Sequence, residues 1–403
     1  MRPAIELTTA GESHGPAVTA ILTGIPAGLG IAAGEIDADL ARRQGGYGRG
    51  GRMAIEHDRV ALTGGVRHGL TLGSPICLVV DNRDWQNWVD EMGAAAPPAG
   101  WASERRVSVP RPGHADLAGG AKFGHADLRN VLERASARET AGRVAAGAVC
   151  RKLLSLLGAT VRSRTVAIGG VRDDAFDGTA ESWERIEASD VRCSDDDAAA
   201  AMRARIDAAR EAGDSVGGVI EAVAEGLPPG LGSCASWQER LDARIGQAML
   251  SIPAIKAVEI GAGMAAAGMR GSQVHDAILP ADDGGRPFAR GGNSAGGVEG
   301  GMTNGEPVVV RLAMKPIPTL TSPLPSVDVT TGDATAAHAE RSDVCAVPAA
   351  GVVAEAMLAL VLASAAVEKF GGDCVSDTLA ALRHYLDRLP LPWQARRTRE
   401  DGS

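Results

Sequence analysis

The chain has 403 residues, 45% of them hydrophobic and 23% charged, the balance of a soluble globular protein with a large core. Its formal charge of -9 excludes a general nucleic-acid binder, which needs a basic footprint, and aromatics at 3% leave the core to Ala, Val, Ile and Leu. The 6 cysteines lie far apart with no CxxC, which excludes a compact disulfide framework or a zinc module.

In chain order, Ile5 to Thr9 and Val18 to Thr23 read as strands joined by the tight connection AGESHG. Ile36 to Gln44 reads as a helix, followed by the loop GGYGRGGR. Val60 to Thr63 and Ile76 to Asn82 read as strands, and residues 92 to 106 as a Pro/Ala-rich surface excursion. The stretch from Arg111 to Arg143 opens with a Pro/Gly turn carrying Arg111, His114 and Asp116 and becomes a helix rich in small residues. Arg134, Arg138 and Gly142 are spaced by four, which predicts that both guanidinium groups leave one helix face. Strand-like sequence follows near 160 to 168. Residues 171 to 214 are acidic and polar and read as a solvated insertion ending in an amphipathic helix near 196 to 212. Gly217 to Ala224 and Val308 to Ala313 read as strands, Leu241 to Met249 and Gly351 to Phe370 as helices. The tail from about Gln394 reads as frayed. Antiparallel-looking strands alternating with long helices predict an α+β fold, and the absence of a strand–GxGxxG–helix unit argues against a doubly wound sheet. No domain boundary stands out, so residues 1–393 read as a single domain with an insertion near 171–214 and a flexible tail at 394–403. The N-terminus shows no signal-peptide pattern, and the longest apolar run, Ala356 to Val367, is too short to span a bilayer, so a cytoplasmic protein without a membrane segment is expected.

Several stretches carry chemistry. Arg42, Arg43, Arg49, Arg52, Arg111, Arg134 and Arg138 crowd the first third near glycine-rich sequence. A positive pocket in a negative protein attracts a small anion and repels a polyanion. Two arginines beside Ser136 and Thr140 suit a planar anionic ligand, because a guanidinium meets phosphate or carboxylate through paired donors. Small residues there also suit close approach of another backbone. His14, between glycines, can move a proton near neutral pH. Gly45 to Arg52 reads either as a phosphate cradle of main-chain N–H groups or as a plain mobile loop. The glycine pairs of Asn293 to Asn304 fit either a flat cofactor lying on the backbone or tight strand packing. Lys315 to Thr319 is a stiff extended segment with one cation, and Arg341-Ser342-Asp343 offers a second arginine beside a carboxylate. No metal-ligand spacing is present. A non-catalytic phosphate- or nucleotide-binding module is the alternative from another class.

Taken together, these motifs resemble the chorismate synthase family. The matching stretches are AGESHG at 10 to 15, LARRQGGYGRGGRM at 40 to 53, RPGHAD at 111 to 116 and RASARETAGRVAAG at 134 to 147. AIKAVEIG at 254 to 261, AGGVEGGMTNG at 295 to 305, AMKPIPT at 313 to 319 and RSDVCAVPAAGVVAE at 341 to 355 complete an ordered set over nearly the whole chain. The chain departs from the family in AIKA where AIKG is usual, and in GGN before Ser294-Ala295.

The resemblance implies a βαβ sandwich in which helices surround antiparallel sheets, usually as a homotetramer. It implies the last step of the shikimate pathway, in which 5-enolpyruvylshikimate 3-phosphate loses phosphate and a ring proton by 1,4-anti elimination. Reduced FMN is required without net redox change, with NADPH as a candidate reductant. The resemblance makes His14 the general acid at the leaving phosphate and places His114 at the flavin's N1/C2 carbonyl edge. Asp343 would assist proton removal through flavin N5. Arg134, Ala135, Ser136, Pro253, Ala254, Gly300, Lys315, Pro316, Ile317, Pro318, Thr319 and Arg341 match the FMN site. Arg43 and Arg49 match positions for a nicotinamide nucleotide or the substrate's anions. Ser13, Arg111 and Arg138 complete the substrate's anion cage.

Overall fold

The computed structural model describes residues 4–50, 57–280, 288–339 and 342–389. Two antiparallel sheets hold the frame. The first has strands β1 (Glu6–Ala10), β2 (Ala17–Thr23), β3 (Val60–Gly64) and β4 (Ile76–Asp81) in the order β1-β2-β4-β3. The strict alternation in β2, with Val18, Ala20 and Leu22 buried, turns one face of this sheet inward. The second sheet has β5 (Thr160–Ile168), β6 (Val171–Arg172), β7 (Gly218–Glu225), β8 (Ile255–Ile260) and β9 (Val308–Met314) in the order β8-β9-β7-β5-β6. The fold is therefore α+β, with every described pairing of strands within a sheet antiparallel.

The helices of more than one turn are α1 (Ala33–Gln44), α2 (Asp116–Phe123), α3 (Arg129–Ala135), α4 (Thr140–Leu156), α5 (Ala180–Ala188), α6 (Asp196–Glu211), α7 (Leu241–Leu250), α8 (Val347–Phe370) and α9 (Val375–Arg388). Helix α4 packs on β2 and β4 of the first sheet and on α8, while α8 packs on β5 and β7 of the second. The two longest helices thus pack on each other and link the two sheets. Helix α8 has 24 residues and is long and apolar enough to cross a membrane by composition, but 89% of its apolar window is buried against its neighbours. It is the core helix, longer than the apolar run legible in the sequence. Small residues let it approach α4: a Cβ on Gly147 would stand 2.3 Å from the Cβ of Ala356. Gly142 likewise faces Thr9, Val18 and Ala20. The small residues of α4 therefore serve backbone packing, not a flat ligand.

Two expectations fail here. The helix predicted through Arg134 and Arg138 is interrupted, because Ser136 is extended at ψ 145° and its side chain caps the short turn Ala137–Glu139 that follows. Its Oγ accepts from the Arg138 N–H. The four-residue spacing no longer puts the two arginines on one face. The acidic segment 171–214 is solvated on one side only. Ile186 and Met202 are fully buried, Val191, Ala199, Met202 and Ile206 belong to the main core, and Glu187 pairs with Arg42. Charges on the outer face of α5 and α6 hid an inner apolar stripe.

Candidate active site

The residues singled out in the sequence fall into three groups. The first sits where the β1–β2 connection meets α3. His14 Nδ1 lies 2.9 Å and 3.0 Å from the two carboxylate oxygens of Glu133, and the His14 backbone N–H donates to Glu133 Oε2 at 2.8 Å. Arg129, one turn before Glu133 on α3, donates to the same carboxylate at 2.9 Å. Burial opposes ionisation of Glu133, but the hydrogen bonds from His14 and Arg129 outweigh it and hold the carboxyl below its ordinary range. Trp88 stacks on the imidazole with 3.8 Å between ring centroids. Ser13 Oγ is 3.1 Å from Ser136 Oγ. Arg138 and Arg43, both buried, meet the two oxygens of Asp58 at 2.6 Å and 3.3 Å. Arg43 also donates to Thr140 Oγ1. Arg134 is exposed; it reaches the Gly11 and Thr9 carbonyls and the Thr9 hydroxyl, and the Glu139 carboxylate stands 4.0 Å away.

The second group surrounds the turn before α2. His114 Nδ1 lies 2.5 Å from Asp116 Oδ1, and Arg111 Nε donates to Asp116 Oδ2 at 2.9 Å. Arg111 also donates to Thr319 Oγ1 at 2.9 Å. Asp116 is wholly buried, which disfavours its charge, yet its bonds to His114 and Arg111 win and hold the carboxyl well below the carboxylate range. Lys315 Nζ donates to the Gly113 carbonyl and meets no carboxylate among the described residues. Burial and the neighbouring Lys256 lower its pKa. The Lys315 N–H donates to the Ala254 carbonyl at 3.0 Å, which ties Pro253-Ala254 to Lys315–Thr319. Ala254 itself has φ +67°, a left-handed conformation unusual for a residue with a Cβ.

The third group is Arg49 and Asp343. Their side chains are 3.3 Å apart, and the Gly50 N–H donates to Asp343 Oδ1 at 2.7 Å. The described part of the arginine-glycine loop, up to Gly50, is packed against the core rather than an open cradle. A Cβ on Gly48 would crowd Cys345 and Ile206, and the Gly48 carbonyl accepts from Val344. Arg341 and Arg52 lie outside the described residues.

Helix packing joins the first two groups. Gly119 and Gly120 of α2 sit against Val131 and Leu128, next to or in the helix that carries Glu133 and Arg134. Such a set of paired imidazoles, buried carboxylates and arginines can hold anions and deliver protons to them.

The comparisons with known proteins agree with one another. A family model described as Chorismate synthase matches residues 5–367. The chain belongs to the chorismate synthase family. It is 55% identical over 382 residues to a chorismate synthase from Desulforudis audaxviator, covering 94% of this chain and 97% of that one. To the chorismate synthase from Rubrobacter xylanophilus it is 54% identical over 388 residues, covering 96% and 97%. A solved chorismate synthase crystal structure superposes with a TM-score of 0.76 at 42% identity, over 96% of this chain and 98% of that one. Membership makes the chain a lyase of the shikimate pathway.

Within the chorismate synthase frame, three of the four glycines in Gly296–Gly301 serve backbone packing. A Cβ on Gly296, Gly297 or Gly301 would meet Gly261, Pro307 or Arg240 and Ser233 at under 3.0 Å. Gly300, with φ +58°, faces open space instead, at the tip of a hairpin whose hydrogen bonds run to the 230–241 segment. Sequence reasoning missed Asp58, Glu133 and Trp88. Asp58 and Trp88 had no local signal, because their partners are distant in the chain. Glu133 had a weak one, its four-residue spacing from Arg129.

Proposed function

We propose that this chain carries out the 1,4-anti elimination of phosphate from 5-enolpyruvylshikimate 3-phosphate, giving chorismate. The observation that carries the reading is the repeated unit at His14 and His114. Each imidazole presents Nδ1 to a buried carboxylate that an arginine also holds. That arrangement fixes the orientation of each ring, as proton delivery to a departing phosphate or charge stabilisation beside an electron-rich cofactor requires. His14 would donate its proton as the C–O bond to phosphate breaks. Ser13 beside it, with Arg111 and Arg138, would line the anion cage. Asp343, held by Arg49 and the Gly50 N–H, is an acceptor for the ring proton that is lost.

The residues present fit a flavin mononucleotide. Arg134 and Lys315 are cations whose described partners are mainly carbonyl and hydroxyl oxygens, and Gly300 leaves room beside the backbone. Arg134, Ala135, Ser136, Pro253, Ala254, Gly300 and Lys315 to Thr319 would hold it, with Arg341. When bound, reduced FMN supplies electron density that eases phosphate departure and is returned, so no net oxidation results. Arg43 is committed to Asp58 and Thr140 and Arg49 to Asp343, so we place both as organisers of the anion site rather than as a nicotinamide clamp. Electrons for the flavin would come from outside the chain.

The finer architecture is a sandwich of sheet, helices and sheet. A homotetramer accords with the large apolar side chains left exposed at Met264, Ile278, Leu279 and Phe288. A cytoplasmic location accords with the buried α8.

The test is anaerobic mixing of the protein with photoreduced FMN and the substrate. Stoichiometric phosphate and chorismate with the flavin still reduced at the end is the expected result. A folded protein that releases no phosphate at saturating reduced FMN overturns the reading. Repeating the assay in air with NADPH and FMN alone tests the reductant: sustained turnover there would show an intrinsic reductase.

A further inference from the structure

Among the buried titratable groups that the mechanism above does not use, Glu133 is the one in contact with His14. Glu133 is 1% exposed and stands one residue before the RASARETAG stretch. Its contacts converge on one neighbour. Its carboxylate takes His14 Nδ1 and the His14 backbone N–H, while its own backbone carbonyl accepts from Ser13 at 3.0 Å. Arg129 closes the far side of the carboxylate. The imidazole face is held against Trp88 at an interplanar angle of 22°, and the indole is in turn flanked by Arg105 at 3.9 Å and Arg129 at 5.2 Å. A carboxylate at one ring edge and an indole on one face leave the imidazole little freedom to flip. Charged groups near the pair include Arg129 on α3, Arg105 across the indole, Asp84, which accepts from the Trp88 Nε1–H, and Glu12 in the histidine's own turn, beside Gly15.

We propose that Glu133 is the positioning residue of His14: it keeps a proton on Nδ1, so that Nε2 is the nitrogen that surrenders its proton to the substrate. This rests on the reading of His14 as the general acid. Glu133 does not enter the reaction. The proton moves from Nε2 to the leaving oxygen, the ring is left as the neutral Nδ1–H tautomer, and the carboxylate stays ionised throughout. With the carboxylate gone, the neutral ring is free to carry its proton on Nε2, and such a ring cannot accept there when the site is reset.

The test combines three variants. Glu133→Gln should lower kcat by roughly 10- to 100-fold, with KM for the substrate nearly unchanged, because orientation rather than binding is lost. It should also move the basic limb of the kcat–pH profile to lower pH, since removing an adjacent negative charge releases the histidine proton sooner. Glu133→Asp should recover part of the rate. In the ligand-free protein, at a pH where His14 is neutral, 15N spectra assigned with His14→Ala should show a single Nδ1–H tautomer for His14, and a mixture in Glu133→Gln. The doubly substituted His14→Ala/Glu133→Gln protein should be no slower than His14→Ala alone. A wild-type rate and pH profile in Glu133→Gln, with His14→Ala crippled, overturns the proposal and spares the acid. A further loss in the double variant overturns it too, by showing that Glu133 acts elsewhere. Full activity in His14→Ala would instead sink the reading of His14. Should Glu133→Gln fail to fold, Glu133→Asp decides through the same spectra: two tautomers with reduced kcat support the proposal, and an Nε2–H ring at full rate overturns it.

Discussion

The two histidine sites use the same parts but assemble them over different distances along the chain. At His114 the carboxylate is two residues away and the arginine three, so one turn supplies the whole unit. At His14 the carboxylate is 119 residues away, on a different helix. The first unit takes its histidine, carboxylate and arginine from one local turn, which Thr319 and Lys315 then brace from a distance. The second depends on the β1–β2 connection docking on α3, and so on the core beneath both. A local unit is a modular device, whereas a long-range one couples chemistry to folding.

The comparison breaks most readily at the histidines themselves. His114→Ala should lower kcat by about 100- to 1,000-fold, the usual loss when one charge-stabilising donor is removed, with far-UV circular dichroism unchanged. Near-wild-type turnover at saturating reduced FMN would remove its assigned role. Because the turn is local, the fold should survive this change.

Asp116 separates chemistry from stability. Asp116→Asn leaves the buried Arg111 guanidinium without its counter-charge, and breaking such a pair costs about 3–5 kcal/mol. The sign with pH follows from the depressed carboxyl. Its stabilisation is present above the unfolded aspartate pKa of about 4 and is lost as pH falls through the folded value. Thermal melts should therefore show a large gap between wild type and Asp116→Asn at pH 7 that narrows below about pH 4. A gap that is constant down to pH 2 would show that the ion pair is not its source.

Arg134 sharpens the contrast between exposed and buried cations. Its side chain is 42% exposed, so Arg134→Ala should leave the melting temperature nearly unchanged. The FMN dissociation constant should rise by roughly 10- to 100-fold, the worth of one charged hydrogen bond. Fluorescence quenching titrations measure it, and an unchanged constant contradicts the placement.

What could be read from the sequence tracks this same difference in span. The strands 6–10, 17–23 and 76–81 and the helix at 196–211 follow local periodicity, and each lies where that periodicity predicts. The RPGHAD turn held its histidine, carboxylate and arginine in six consecutive residues, and all three meet. The break at Ser136 was hidden because helical spacing continues across it, and the inner stripe of 171–214 was hidden by the charge of its outer face. The partners Asp58, Glu133 and Trp88 are tertiary choices, which no window of local sequence contains.

Trp88 gives the smallest and most diagnostic effect. It is 8% exposed, so Trp88→Phe keeps a ring against His14, while Trp88→Leu keeps apolar bulk and removes the stacking. Aromatic stacking beyond burial is worth about 0.5–1.5 kcal/mol, so Trp88→Leu should lower kcat about two- to tenfold and Trp88→Phe less. If the long-range site works by fixing the ring, the loss should appear in kcat rather than in KM. It should also grow with temperature, as the imidazole gains rotational freedom. Should both variants match the wild type in kcat while melting lower, the indole serves only the packing between Arg105 and Arg129, and the carboxylate edge alone holds the histidine.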